Sequence, residues 1–121
     1  MDHRRPVEPD AYNWAFIGLA VVLAGLHLYL GVFAGFVPRT RAAQFVAIGV
    51  AFLFGPVVYF TPYWRPLLYL LGVGFAAYLG ALWLFSGMQY VAFGALASVA
   101  ATGFVALGLY LFYRESARHA E

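Results

Sequence analysis

The stretch YNWAFIGLAVVLAGLHLYLGVFAGF, residues 12–36, is an uncharged apolar run with one histidine, His27, beyond its middle. The hydrocarbon core of a bilayer is about 30 Å thick and takes roughly 20 helical residues to cross. The run is long enough for one crossing, so we predict that it forms the first membrane-spanning helix. Asp10 or Asn13 is suited to cap this helix, because either side chain can accept from free backbone amides.

Three further apolar runs follow, separated by short segments that hold prolines, arginines or small polar residues. Proline ends or kinks a helix, and charged side chains beside a span need water or lipid phosphate. We therefore predict four spans, at about residues 12–36, 42–60, 67–85 and 90–113. Residues 1–121 then form a single domain, an all-α polytopic membrane protein folded as an antiparallel four-helix transmembrane bundle.

The composition supports a membrane protein and excludes several function classes. Hydrophobic residues make up 64% of the chain and charged residues 10%, whereas soluble domains have about 45–50% and about 25%. The chain has no cysteine, which excludes disulfides, thiolate metal sites and cysteine nucleophiles. The formal net charge of +2 is too small to indicate nucleic-acid binding. We expect membrane lipids as partners and no nucleic acid.

Arginine supplies every basic residue, and its distribution predicts the orientation. Four crossings put both chain ends on one side of the membrane. The arginines on that side outnumber those on the other, with Arg4, Arg5, Arg65, Arg114 and Arg118 against Arg39 and Arg41. Cytoplasmic segments carry the excess of basic residues. We therefore predict a multi-pass protein of the cell membrane with both termini in the cytoplasm. The charged tail, residues 114–121, is expected to continue the last helix into water.

Small residues recur every four positions in three of the predicted spans. Such rows let helix backbones approach closely, which helps to join helices inside lipid, where the hydrophobic effect does not. The rows are Gly31 with Gly35, Gly72 with Ala76 and Gly80, and Gly94 with Ser98 and Thr102. We expect contact seams there, either within one chain or in a homo-oligomer or larger membrane complex.

His27 is the ionisable side chain, tyrosines aside, that lies well inside a predicted span. Polar groups in the membrane are functional candidates because they are costly to bury there. Tyr78 and Ser98 fall at about the same depth, and Thr102 lies one turn from Ser98. We predict that these four residues form an intramembrane polar cluster. Either His27 is neutral and hydrogen-bonded in the bundle interior, or it titrates near neutral pH and senses or relays protons.

The sequence lacks the usual components of a catalytic or metal site. No second histidine, cysteine or carboxylate lies within the predicted spans, and no nucleotide loop, catalytic triad or carboxylate pair is present. Metal and haem centres normally need several protein ligands, and acid–base catalysis needs a positioned proton donor or acceptor. We therefore expect no catalytic residue, no metal site and no cofactor.

Three short segments carry a family resemblance: GLHLYLGV in the first span, RPLLYLLGV at the start of the third, and GALWLF with its tryptophan. They resemble a group of small four-helix archaeal integral membrane proteins of unknown function. The His-Leu-x-Leu-Gly pattern of that group falls on residues 27–31, and its Arg-x-Leu-Leu-Tyr-x-x-Gly pattern falls on residues 65–72. The resemblance implies the four-helix fold and supplies no activity. Small multidrug transporters are similar in size, but they use an acidic residue in the first span, which this chain lacks there.

These observations favour a non-enzymatic integral membrane protein that acts alone, as a homo-oligomer or as a small accessory subunit. The alternative is a small transporter or channel-like protein in which His27 lines a polar path. A third hypothesis is a subunit that binds quinone or haem.

Overall fold

Four α-helices make up the described part of the chain. The structure is a computed structural model that describes residues 9–35, 37–85, 87 and 90–120, with side chains described up to residue 117. The helices are α1 (Ala11–Val32), α2 (Arg39–Tyr59), α3 (Leu67–Phe85) and α4 (Val91–Ala120). All four contain a segment long and apolar enough to cross a membrane. The predicted all-α fold, a polytopic bundle of four antiparallel helices, is confirmed.

Asp10 caps the start of α1. Its carboxylate accepts from the backbone amides of Tyr12 at 3.0 Å and Asn13 at 3.3 Å. The Asn13 side chain accepts in return from the Asp10 amide at 3.0 Å, so the two predicted capping residues act together. Such a box satisfies backbone donors that have no partner within the helix.

Two helix boundaries differ from those predicted. The first helix ends at Val32, before the predicted end at Phe36, which lies outside the described residues. Helix α2 begins at Arg39, before its predicted start at residue 42. Pro38 directly precedes it, a position where its missing amide costs no helical hydrogen bond. At the other end of the chain, α4 continues past the predicted limit of the span at Tyr113 to Ala120, as predicted for the charged tail.

Helix α1 packs along α2 on one side and α4 on the other, and α4 packs in turn against α3. Helices α2 and α3 approach each other in few places. One of these is near the middle of the bundle, where the rings of Phe52 and Phe75 are 5.0 Å apart. Phe52 also lies 5.9 Å from Phe104, which stacks on Phe16 at 4.4 Å. We call these four rings the aromatic layer.

Close helix approach occurs at some of the predicted seams. A Cβ atom on Gly31 would lie 2.5 Å from Val46 Cγ2 and 2.7 Å from the carbonyl oxygen of Ala42. A side chain there would push α1 and α2 apart, so the seam needs glycine. Gly94 of α4 likewise leaves room for the ring of Trp83 on α3.

Gly35 and Gly80 form no contact seam within the chain, since an added Cβ would meet nothing within 4 Å at either position. Gly72 belongs to the same row as Gly80, yet its Cβ would lie 3.2 Å from the Phe104 ring. The difference arises because α3 packs on the bundle near Gly72 and diverges from α2 towards Gly80. The space left by this divergence is the cavity described below.

Candidate functional site

A large cavity opens where α2 and α3 diverge, and we call it the α2–α3 cleft. Its volume is about 1030 Å³, at the upper end of the range of ligand sites, about 300–1,000 Å³. Most of its walls lie in the half of the bundle away from the chain ends. All four helices contribute to them, with Leu30, Ile48, Gly80 and Ala97 as examples from α1 to α4. The walls are therefore mainly apolar.

The wall of the cleft is longer on α4 than on α2: along α4 it runs from Tyr90 to Leu109, about 28 Å at 1.5 Å per residue, and along α2 it is about as long as one leaflet is thick. Arg41 lies near the start of α2 and Phe52 lies three turns further on, and both line the cleft. At 1.5 Å per residue this separation is about 16 Å, while half of a bilayer core is about 15 Å. Phe52 also belongs to the aromatic layer. Phe52 thus ends the α2 wall of the cleft, whereas on α4 the wall continues past Phe104 to Val105, Ala106 and Leu109.

His27 lies on the wall of the cleft beside two rings of α2. Its ring centroid is 6.0 Å from that of Phe45 and 5.6 Å from that of Phe52. His27 Nδ1 is 2.7 Å from the carbonyl oxygen of Leu23, one turn back on α1. Since a carbonyl oxygen only accepts, Nδ1 carries the hydrogen, and Nε2 of the neutral ring is an acceptor. Nε2 has no hydrogen-bond partner within the described chain.

Three of the four predicted cluster residues line the cleft, but no hydrogen bond joins His27 to the other two. Ser98 and Thr102 are on its α4 wall, and the Thr102 hydroxyl donates to the Ser98 carbonyl oxygen at 2.8 Å. Tyr78 does not line the cleft and is 62% exposed on α3. The structure thus brings His27, Ser98 and Thr102 to one space and leaves Tyr78 outside it.

Two polar side chains of α2, Arg41 and Gln44, line the outer end of the cleft. Arg41 is half-buried and forms no ion pair within the described residues. The acidic residues that the structure describes, Asp10 and Glu115, lie at the opposite, chain-end side of the bundle. Partial burial of an unpaired charge is costly. This end of the cleft therefore favours an anion.

The chain-end side holds a second polar feature, a buried set of hydrogen bonds among Asn13, Tyr69 and Glu115 that we call the terminal network. The Tyr69 hydroxyl donates to Glu115 Oε2 at 2.7 Å, and the Asn13 side-chain amide donates to the same oxygen at 3.0 Å. Asn13 also donates to the Tyr69 hydroxyl oxygen at 3.1 Å. The network joins the start of α1, the start of α3 and the end of α4.

The expectation that the tail enters water is wrong for Glu115, which is 6% exposed. Two hydrogen bonds replace the water that its carboxyl group would otherwise bind. The sequence contained a signal for this placement. Phe104, Gly108, Leu111 and Glu115 follow the four- and three-residue spacing of one helix face, and the first three of these are buried.

Arg114 extends this polar region to the surface. Its Nη1 is 2.7 Å from Asp10 Oδ2 in an ion pair, and its Nη2 donates to Asn13 Oδ1 at 2.9 Å. The hydrogen bond from Arg114 lowers the pKa of Asp10 below its ordinary value of 3.8. The pair therefore ties the first turn of α1 to the end of α4 while Asp10 is ionised.

The comparisons with known proteins leave the function to be inferred from the cleft. No family model matches the chain, and no curated protein or solved structure matches it. The resemblance to small archaeal four-helix proteins therefore stays a prediction. Within the described residues, no three histidine or acidic side chains are grouped so that they could hold a metal ion.

Proposed function

We propose that the protein is a non-enzymatic integral membrane protein that holds the hydrocarbon chain of a membrane lipid in the α2–α3 cleft. The observation that carries this proposal is a long, mainly apolar wall with a polar end: along α2 it covers about one leaflet, from Arg41 to Phe52, and along α4 about 28 Å, from Tyr90 to Leu109. Each water molecule in a cavity needs about two to four polar partners, and the walls offer few. A lipid chain is therefore the occupant that fits best.

In this proposal the protein lies in the cell membrane with both chain ends in the cytoplasm, because the arginines are more numerous on that side. The cleft then takes its lipid from the outer leaflet. We propose that the protein acts as a small accessory or oligomer-forming subunit, with the lipid completing the contact between its own α2 and α3.

Lipid retention by the purified protein tests the proposal, counted by native mass spectrometry after extraction in mild detergent. Gly80→Phe places a ring in the cleft, where an added Cβ meets no atom within 4 Å. Gly74→Phe is the matched control, since Gly74 is equally open but does not line the cleft. Wild type and Gly74→Phe should retain one lipid, and Gly80→Phe should lose most of it. Equal lipid retention by all three proteins would contradict the proposal. It would also be contradicted if Gly80→Phe displaced a second protein chain, because that chain, rather than a lipid, would then occupy the cleft.

The alternative function, a small transporter with His27 on a polar path, requires water in the cleft. The presence of His27, Ser98 and Thr102 on its walls favours this alternative. The mainly apolar walls oppose it, because each water molecule on such a path needs about two to four polar partners.

Because the natural chain has no cysteine, one introduced cysteine can report whether water reaches the cleft. Maleimides react with the thiolate, which apolar surroundings disfavour. Ala97→Cys, on the cleft wall, should therefore resist a water-soluble maleimide in bilayers. Thr40→Cys, at an exposed position in the first turn of α2, should react and serves as the control. Rapid labelling of both would contradict a lipid-filled cleft and support the transporter.

A further inference from the structure

We propose that the lipid in the α2–α3 cleft is anionic and that its acidic headgroup binds to Arg41. This inference rests on the proposed lipid-binding function and adds the chemical class of the headgroup. It also fixes how the lipid lies, with its headgroup at the outer end of the cleft and a hydrocarbon chain directed towards Phe52.

The first support is the charge around Arg41. The side chain is half-buried and lines the cleft, and it has no ion-pair partner among the residues that the structure describes. The five acidic residues of the sequence all fall in its first ten or last seven positions, whereas Arg41 lies at the end of the bundle away from the chain ends. Neither carboxylate that the structure describes, Asp10 or Glu115, is thus placed to neutralise Arg41, whereas an external anion in the cleft would be.

The second support is the distribution of polar groups along α2. Arg41 and Gln44, about one turn apart, both line the outer end of the cleft, and the next wall residues of α2, Phe45, Ile48 and Phe52, are apolar. A guanidinium group pairs with a phosphate through two parallel hydrogen bonds, and a side-chain amide can donate to a further oxygen. The polar end, followed on α2 by an apolar wall about one leaflet long, matches a phospholipid with an anionic headgroup.

Arg39 provides the internal comparison. It lies two residues before Arg41 on the same helix and carries the same charge, but it is exposed and does not line the cleft. An effect of general surface charge would involve both arginines, whereas a headgroup held in the cleft would involve Arg41 alone.

The test measures headgroup preference in vesicles of equal parts phosphatidylglycerol and phosphatidylcholine. The full-length protein is reconstituted, extracted in mild detergent, and its retained lipid is identified by native mass spectrometry. Wild type should retain phosphatidylglycerol in preference to phosphatidylcholine by about tenfold, the size expected for a hydrogen-bonded charged contact. Arg41→Gln should abolish the preference, and Arg39→Gln should leave it unchanged. Arg41→Lys, which keeps the charge, should keep more of the preference than Arg41→Gln.

The outcomes separate this inference from the function on which it rests. If both lipids are retained equally by wild type, and Gly80→Phe still removes them, the cleft binds lipid but the anionic headgroup is refuted. If Arg39→Gln and Arg41→Gln reduce the preference equally, or Arg41→Lys loses as much as Arg41→Gln, the assignment to Arg41 is refuted. If wild type retains no more lipid than Gly80→Phe, the lipid-binding function itself fails.

Discussion

Removing one hydroxyl group from the terminal network should destabilise the bundle measurably. In Tyr69→Phe, Glu115 Oε2 loses the donor at 2.7 Å and keeps only the Asn13 amide at 3.0 Å. The aromatic contacts of the ring, at 5.0 Å from Phe16 and 4.9 Å from Trp64, are retained by phenylalanine. The substitution therefore isolates the hydroxyl from the packing.

The expected loss is about 1–1.5 kcal/mol of unfolding free energy. Leaving a buried polar group without its partner costs about 1–3 kcal/mol. Two effects place the value in the lower part of this range. First, Glu115 keeps one donor. Second, the polar groups of helices that separate within a membrane or micelle find other partners, so that hydrogen bonds measured between membrane helices average about 0.6 and reach about 1.7 kcal/mol.

The assay is reversible unfolding by sodium dodecyl sulfate in mixed micelles, followed by circular dichroism. Tyr78→Phe is the matched control on the same helix, since Tyr78 is 62% exposed and forms no hydrogen bond within the described chain. It should change stability by less than about 0.5 kcal/mol. Equal stability losses in the two variants would refute the stabilising role of the terminal network.

Two further perturbations test other parts of the fold. Gly31→Leu should lower the free energy of unfolding by about 1–3 kcal/mol through overpacking, because an added Cβ already lies 2.5 Å from Val46. Gly25→Leu is the control, since its side chain would meet open space. Equal stability of the two variants in detergent would exclude the α1–α2 seam. The Asp10–Arg114 pair should stabilise the fold above pH 3.8, the ordinary pKa of Asp10, and be lost as the pH falls through the lowered value in the folded protein. Wild type should therefore lose its stability advantage over Asp10→Asn on acidification, and an advantage that is independent of pH would contradict the pairing.

The membrane crossings could be predicted from the sequence because each depends on local composition. An uncharged run such as residues 12–36 has few alternatives to a spanning helix, and a capping residue such as Asp10 acts within one turn. Helix ends were less predictable, as the early end of α1 at Val32 illustrates. There the backbone amides of Phe33 and Ala34 both donate to the carbonyl oxygen of Tyr29, and the uncharged run around them does not show where such a turn will form.

The α2–α3 cleft could not be predicted in the same way. The cleft exists because α2 and α3 diverge, and the sequence does not show how far they do. Residues of the same small-residue row on α3 therefore have different surroundings. Gly72 packs near Phe104, while Gly80 faces the cleft. The sequence did predict that His27 and Ser98 lie at a similar depth in the membrane. The depth of a residue does not show which way its side chain points, as Tyr78 illustrates.

The terminal network was missed for a different reason. Charged residues near the chain ends were expected in water, because most charges at the end of a span are there. The helical spacing from Leu111 to Glu115 continues the buried face of α4, and Tyr69 and Asn13 supply the donors that make burial tolerable. A prediction of this kind needs the facing residues of three helices at once.

Site-specific photocrosslinking from the cleft wall tests the central claim most directly. A diazirine amino acid of the size of leucine replaces Leu79, on the cleft wall, or Leu96, which is exposed on α4 at a similar depth. In mixed anionic and zwitterionic bilayers, adducts from position 79 should be mainly anionic lipid, while those from position 96 should match the bulk composition. Adducts from position 79 that contain water or a second protein chain, or that match the bulk lipid, would contradict an anionic lipid in the cleft.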